Sequence, residues 1–147
     1  MQKLNLPTYS FRFKSKENRL LIFDIVRKKY VVLNPEEWVR QHLLHFLVFD
    51  KQYPRSRIAV EKKLVLNGLT KRTDIVVFNR DGSPFLIVEC KAPEVAISQN
   101  SFDQIARYNT ALRGRYLMVS NGLNHYYCKI NEKKDGFEFL KTLPKID

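Results

Sequence analysis

The run Pro84-Phe-Leu-Ile-Val-Glu-Cys-Lys91 constrains the fold more than any other stretch of the chain. Phe85 to Val88 are four consecutive apolar residues that do not alternate with polar ones, so both faces of that strand must be covered. The run then ends in Glu89, Cys90 and Lys91, and Pro93 stops it. Residues i and i+2 of a strand share a face, which sets Glu89 and Lys91 on the side of Ile87 and Cys90 on the other. Charges at the end of a buried strand are costly unless they are paired or hold a metal. A doubly covered strand in 147 residues predicts one α/β domain, a sheet with helices packed on it.

Periodicity and punctuation place the other elements. Residues 9–33 predict antiparallel strands: Ser10 to Lys14, a polar turn over Ser15 to Asn18, Arg19 to Ile25, and Lys28 to Leu33. Asn34-Pro35-Glu36-Glu37 predicts a helix start, with Asn as cap, Pro at the first position and acids in the first turn. That helix is expected to run to about Phe49, burying Val39, His42, Leu43 and Phe46. Arg57 to Leu66 predicts one strand, Asn67-Gly68 a turn, Arg72 to Asn79 a second strand, and Asp81-Gly82 the turn into Pro84 to Lys91. A second helix starts near Ser98 or Ser101 and ends before Gly114, read as its C′ glycine. Arg115 to Ser120 and His125 to Ile130 are strands about an Asn121-Gly122 turn, and the tail adds one more. The organisation expected is a β extension (1–33), an α-β-β-β-α-β-β core (34–130) with a mixed sheet, and a C-terminal tail (131–147).

Composition bounds the partners. The formal net charge is +11, more than a small domain needs for solubility, and it favours a polyanion, nucleic acid before a membrane surface. The first residues lack the apolar core of a signal peptide, and the apolar stretch at Leu43 to Phe49 is too short to span a bilayer. Cys90 and Cys128 lack metal-ligand spacing. A cytoplasmic protein with no membrane partner is expected.

The candidate chemistry lies in two neighbouring strands. Asp74 leads one apolar strand; Glu89 and Lys91 end the next. A hairpin about Asp81-Gly82 brings all three to one end. Two carboxylates suit Mg²⁺, which takes few protein ligands, and a lysine beside them can serve a water or a developing negative charge. The Glu-x-Lys pattern occurs three times, at Glu61–Lys63, Glu89–Lys91 and Glu132–Lys134, so context and not the pattern singles out the second. A structural ion pair at a sheet end explains the same residues.

"RTDIVVF…LIVECKAP" resembles the PD-(D/E)XK nuclease superfamily, and most closely the N-terminal nuclease domain of type I restriction enzyme R subunits. Gln104-Ile-Ala-Arg-Tyr108 matches the Q-x-x-x-Y element of RecB-type and type I nucleases, and Pro35 to Gln41 looks like the first-helix acid followed by an arginine. The resemblance covers about Asn34 to Tyr127. It implies a restriction-endonuclease-like fold, with Asp74 and Glu89 as metal ligands, the Cys90 carbonyl assisting, and Lys91 catalytic. Glu36 is chosen over Glu37 as the first-helix acid, because Arg40 follows it by four residues and Glu37 is explained by the Asn34 cap. Gln104 and Tyr108 would support the site or touch DNA, although a Ser101–Gln104 capping box accounts for Gln104 alone. Thr73 stands where the name pattern has proline.

The function implied is Mg²⁺-dependent hydrolysis of DNA phosphodiesters, with Mn²⁺ as a substitute. Glu36, Asp74, Glu89 and Glu94 would form an acidic pocket within basic surroundings that hold the phosphate backbone. No G-x-x-x-x-G-K-[ST] loop is present, so ATP-driven translocation does not carry over. Restriction-modification subunits are the implied partners, and cutting both strands calls for a homodimer or two events. The other reading is a DNA-binding or protein-interaction module without turnover; a nuclease acting on RNA or repair intermediates is a third.

Overall fold

The computed structural model describes residues 1–66, 68–110, 112–131 and 136–147. Asn67 of the expected Asn67-Gly68 turn and the Glu132–Lys134 pair lie outside these residues. The described residues form eleven strands and two α-helices. In chain order these are β1 (Phe13–Lys16), β2 (Arg19–Asp24), β3 (Lys29–Val32), α1 (Pro35–His45), β4 (Ile58–Val60), β5 (Lys63–Leu66), β6 (Leu69–Arg72), β7 (Ile75–Phe78), β8 (Pro84–Cys90), α2 (Gln99–Thr110), β9 (Tyr116–Ser120), β10 (His125–Asn131) and β11 (Gly136–Leu140).

The main sheet has the order β11-β10-β9-β8-β7-β4. The β8–β9 pair is parallel, as the long crossover through α2 permits, and the other pairs are antiparallel. The architecture is therefore α/β with a mixed sheet. Phe85 to Val88 are all buried, and from Leu86 to Val88 successive residues serve opposite sides. Leu86 and Val88 join Val39, Leu43 and Leu44 of α1 and Leu47 just after it, whereas Ile87 joins Phe102 and Ala106 of α2. One helix on each face explains the unbroken apolar run.

Several local expectations are met. Asn34 caps α1 through Oδ1, which accepts the Glu37 amide at 2.7 Å. Gly82 and Gly122 hold φ of 88° and 85° at the predicted turns, which suits glycine. The tail supplies β11.

Other expectations are corrected. Helix α1 ends at His45 and continues as a π-helical turn over Phe46–Asp50. The segment Arg57 to Leu66 is not one strand. Glu61 adopts φ 53°, the chain leaves the sheet there, and β5–β6 form a separate antiparallel hairpin before β7 rejoins it. The hairpin is closed at its base by Thr73 N–H to Lys62 O (2.9 Å) and Glu61 N–H to Asp74 O (3.0 Å). Of the two expected starts of α2, Ser98 is the cap, its Oγ accepting the Ser101 amide at 3.1 Å, but the Ser101–Gln104 box does not form. The left-handed residue after α2 is Arg113 (φ 55°), not Gly114. Gly114 answers a different need, since a Cβ there would sit 2.6 Å from Ile87 Cδ1.

The β1-β2-β3 meander lies beside α1. Phe11 packs within 5.2 Å of Trp38 and 4.7 Å of His42, measured between ring centres. Asp24, fully buried at the end of β2, accepts the amides of Val26 and Arg27 and the Gln41 side chain of α1.

Candidate functional site

Strands β7 and β8 bring the two acids to one end of the sheet. Ile75 opposes Val88, so Asp74 and Glu89 are the next residues along. Their side chains then part. Asp74 turns toward α1: Oδ1 accepts Arg40 Nη2 at 3.1 Å, and Oδ2 accepts the Cys90 amide at 2.8 Å. Glu89 meets Lys71 of β6 and Asn109 of α2: its Oε1 accepts from Lys71 Nζ at 2.5 Å and from Asn109 Nδ2 at 3.5 Å. Both acids are thus supplied with a cation, as carboxylates in a largely buried setting require.

Glu36 stands at the start of α1, half-exposed, 3.6 Å from Arg40. Burial holds its carboxyl above the usual carboxylate range, with the nearby Asp74 charge adding to the effect; Arg40 and Lys91 pull it partly back. Glu36, Asp74 and Lys91 therefore share one electrostatic neighbourhood. Lys91 itself follows β8, bonded through its amide to Ser120 O at 2.8 Å. Among the described residues its ammonium forms no ion pair. Glu89 is partnered by Lys71, not by Lys91, as sharing a strand face had suggested.

Glu37 is an internal residue. It accepts from Arg40 at 2.8 Å, from Gln41 at 3.1 Å and from Arg27 at 3.3 Å. Arg27 also bonds Asp24 through Nε at 2.8 Å. A chain of ion pairs therefore runs from Asp24 through Arg27, Glu37 and Arg40 to Asp74. The close acids keep the Arg40 guanidinium above its ordinary value even though burial opposes this.

The remaining candidates lie farther out. Gln104 is exposed. Tyr108 is 44% exposed, and its ring lies 4.2 Å from Lys71 Nζ. Glu94 is exposed on the loop after β8. The Cys90 side chain is buried, which drives its thiol well above the normal range. His42 and His45 bond back to the carbonyls of Trp38 and Gln41, a structural use.

Sequence reasoning missed Lys71 and Asn109, which join the site from a hairpin and a helix distant in the chain. The signal available was the rule that a buried carboxylate needs a partner. Among the described residues, no group of three or more His, Cys, Asp or Glu side chains is set to hold a metal. What is present are the hard carboxylate oxygens of Asp74, just before β7, and of Glu89 in β8, and Glu89 Oε2 has no hydrogen-bond partner among the described residues. That donor chemistry fits Mg²⁺, which takes one or two carboxylates and keeps several waters.

A family model described as "Type I restriction enzyme R protein N terminus" matches residues 35–144. A solved fragment of a protein described as an HsdR subunit of a type I restriction enzyme, from Vibrio vulnificus YJ016, aligns over 60% of this chain at 23% identity, with a TM-score of 0.36. The present chain covers 17% of that one. No curated protein matches.

Proposed function

The chain belongs to the type I restriction enzyme R protein N-terminal family, and on that premise we propose that it is a Mg²⁺-dependent DNA endonuclease domain of the PD-(D/E)XK kind. The observation that carries the reading is the position of Asp74. It leads β7, its carboxylate is held by Arg40 and by the amide that follows Glu89, and its charge is felt at Glu36. Glu36 of α1 and Asp74 at the head of β7 thus share one neighbourhood, and Glu89 of β8 starts from the same sheet end but turns toward Lys71 and Asn109, in a chain of net charge +11.

Asp74 and Glu89 would hold the ion, with the Cys90 carbonyl assisting. When bound, the ion supplies Lewis-acid activation of a water and of the phosphate. Arg40 fixes the Asp74 carboxylate through Oδ1. Lys91 orients the attacking water and steadies charge on the phosphate oxygens. Glu36, whose proton affinity is raised, is suited to accept a proton from that water. The basic surface binds the DNA backbone, with Gln104 and Tyr108 at its margin. Other restriction-modification subunits, a cytoplasmic setting and a second copy for double-strand cleavage belong to the same proposal. No described helix is long and apolar enough to cross a membrane.

A second reading has its own support. Arg40 already neutralises Asp74 and Lys71 already neutralises Glu89, as in a binding module that has no need of metal. Calorimetric titration of Mg²⁺ and Mn²⁺ into wild type and Asp74→Ala, with plasmid nicking on the same samples, separates the two. Metal binding and nicking that both disappear in the variant support the nuclease. A wild type that binds no metal and cuts no supercoiled or branched DNA supports the module.

A further inference from the structure

Glu89 is the proposed ligand whose surroundings least resemble an open metal site. Its side chain is 12% exposed, and the Lys71 side chain that meets it is 13% exposed. Lys71 Nζ donates to Glu89 Oε1 at 2.5 Å, lies 3.3 Å from Asn109 Oδ1, and sits over the Tyr108 ring at 4.2 Å. An ammonium carries three donors and a full charge. Here that charge is seated on a carboxylate oxygen, lined by an amide and an aromatic face.

The seat is delivered by the β5–β6 hairpin. Leu64 and Lys71 oppose one another across it, so they share a face. That face is turned inward: Leu64 packs on the cluster built around α2, while Val65, the next residue, is 69% exposed. The hairpin pairs with no strand of the main sheet among the described residues. Two strands alone are marginally stable in water. Its position therefore depends on its base, on Leu64 and on the Lys71–Glu89 contact.

We propose that Lys71 is a tethered cation that occupies the Glu89 end of the metal site and competes with the divalent ion for it. This rests on the nuclease reading. A divalent ion on the free Oε2 would share one carboxylate group with the Lys71 ammonium on Oε1, and two cations at such a range repel each other. Divalent binding therefore favours the form in which the ammonium has left Oε1, and the hairpin then loses one of its anchors. Asn109 and Tyr108 remain to receive the displaced ammonium. The site then exists in a closed form, with Glu89 neutralised internally, and an open form with Glu89 available. Metal occupancy is thereby coupled to the position of a basic hairpin that carries Lys62, Lys63, Lys71 and Arg72.

The test is calorimetric titration of Mn²⁺, without DNA, into wild type, Lys71→Met and Lys71→Arg, with melting curves as a fold check. Methionine keeps the apolar stem and removes the charge; arginine keeps the charge. Lys71→Met is expected to bind Mn²⁺ at least tenfold more tightly, and Lys71→Arg to bind like wild type. Equal or weaker binding by Lys71→Met overturns the competition while leaving the nuclease reading intact. Absence of binding in all three proteins removes the nuclease reading, and the competition with it. Binding only by Lys71→Met supports competition in its strongest form. If Lys71→Met does not fold, Mg²⁺ titration of ¹⁵N-labelled wild type gives the answer. A shift of the Lys71 ammonium resonance that saturates with the metal supports displacement; an unmoved resonance at saturation overturns it.

Discussion

Arg40 Nη2 lies 3.1 Å from Asp74 Oδ1, joining the first helix to the head of strand β7. The same guanidinium holds Glu37 at 2.8 Å, and the Arg40 side chain is 7% exposed. Its removal leaves Asp74 without its counter-charge and Glu37 with Arg27 alone, at 3.3 Å, in a largely dry setting. Arg40→Met should therefore cost about 3–5 kcal/mol, the usual loss when one partner of a buried pair is taken away. Urea unfolding of the purified chain measures it. Arg40→Lys should recover only part of the loss, because an ammonium cannot span both acids as a planar fork does.

Lys91 is expected to behave in the opposite manner. It forms no ion pair among the described residues, so Lys91→Ala should change the melting temperature little. Mn²⁺ binding and DNA binding should persist. Plasmid nicking should fall about 100-fold or more, the range for loss of a group that acts on the reacting atoms. Intact nicking in a well-folded Lys91→Ala protein would remove Lys91 from the mechanism.

Acid should destabilise the fold in two stages. Burial holds His42 and His45 below the ordinary histidine value, and each Nδ1–H donates to a carbonyl. The unfolded chain then binds more protons than the folded one, so this stability is complete above roughly pH 6.5 and declines as pH falls toward the folded values. Asp24 is burdened by burial, yet bonds from the Arg27 amide, Gln41 and the Arg27 guanidinium outweigh that and lower its value. Its contribution is present above roughly pH 4 and is lost as pH falls through its folded value. Melting temperatures between pH 7 and 3 should show both stages. Replacing both histidines by glutamine should flatten only the first.

Gly114→Ala tests the close approach of the loop after α2 to β8. The added Cβ would stand 2.6 Å from Ile87 Cδ1, within a fully buried side chain. Overpacking of this kind costs about 1–3 kcal/mol. Ile87→Val removes the clashing atom, so the double variant should lose less than the two single losses combined. Denaturant midpoints of the four proteins decide this.

The parts of the fold legible in the sequence were those with a local cause. Phe85 to Val88 do not alternate, and both faces of β8 are in fact covered. Asn34-Pro35 begins a helix for reasons contained in four residues. The β5–β6 excursion had no such marker, because Glu61 turns the chain with a positive φ but is neither glycine nor asparagine. The site divided along the same line. Asp74 and Glu89 could be aligned by counting along a hairpin. Lys71 is 18 positions from Glu89, and no spacing rule links a charge on one hairpin to a carboxylate on another strand. The direction of Asp74 was also hidden, since it lies just outside β7 and turns toward α1 instead of following strand alternation.

The ion-pair chain from Asp24 to Asp74 bears on how this protein can be cut and recombined. Arg27 comes from the turn after β2, yet it braces Glu37, which braces Arg40, which braces Asp74. A fragment starting at the first helix would keep every residue assigned to the chemistry and discard their support. Glu37 and Gln41 would face water where Arg27 and Asp24 had been. Any transplant of the site into another protein must therefore carry the meander along, or supply a cation in the place of Arg27.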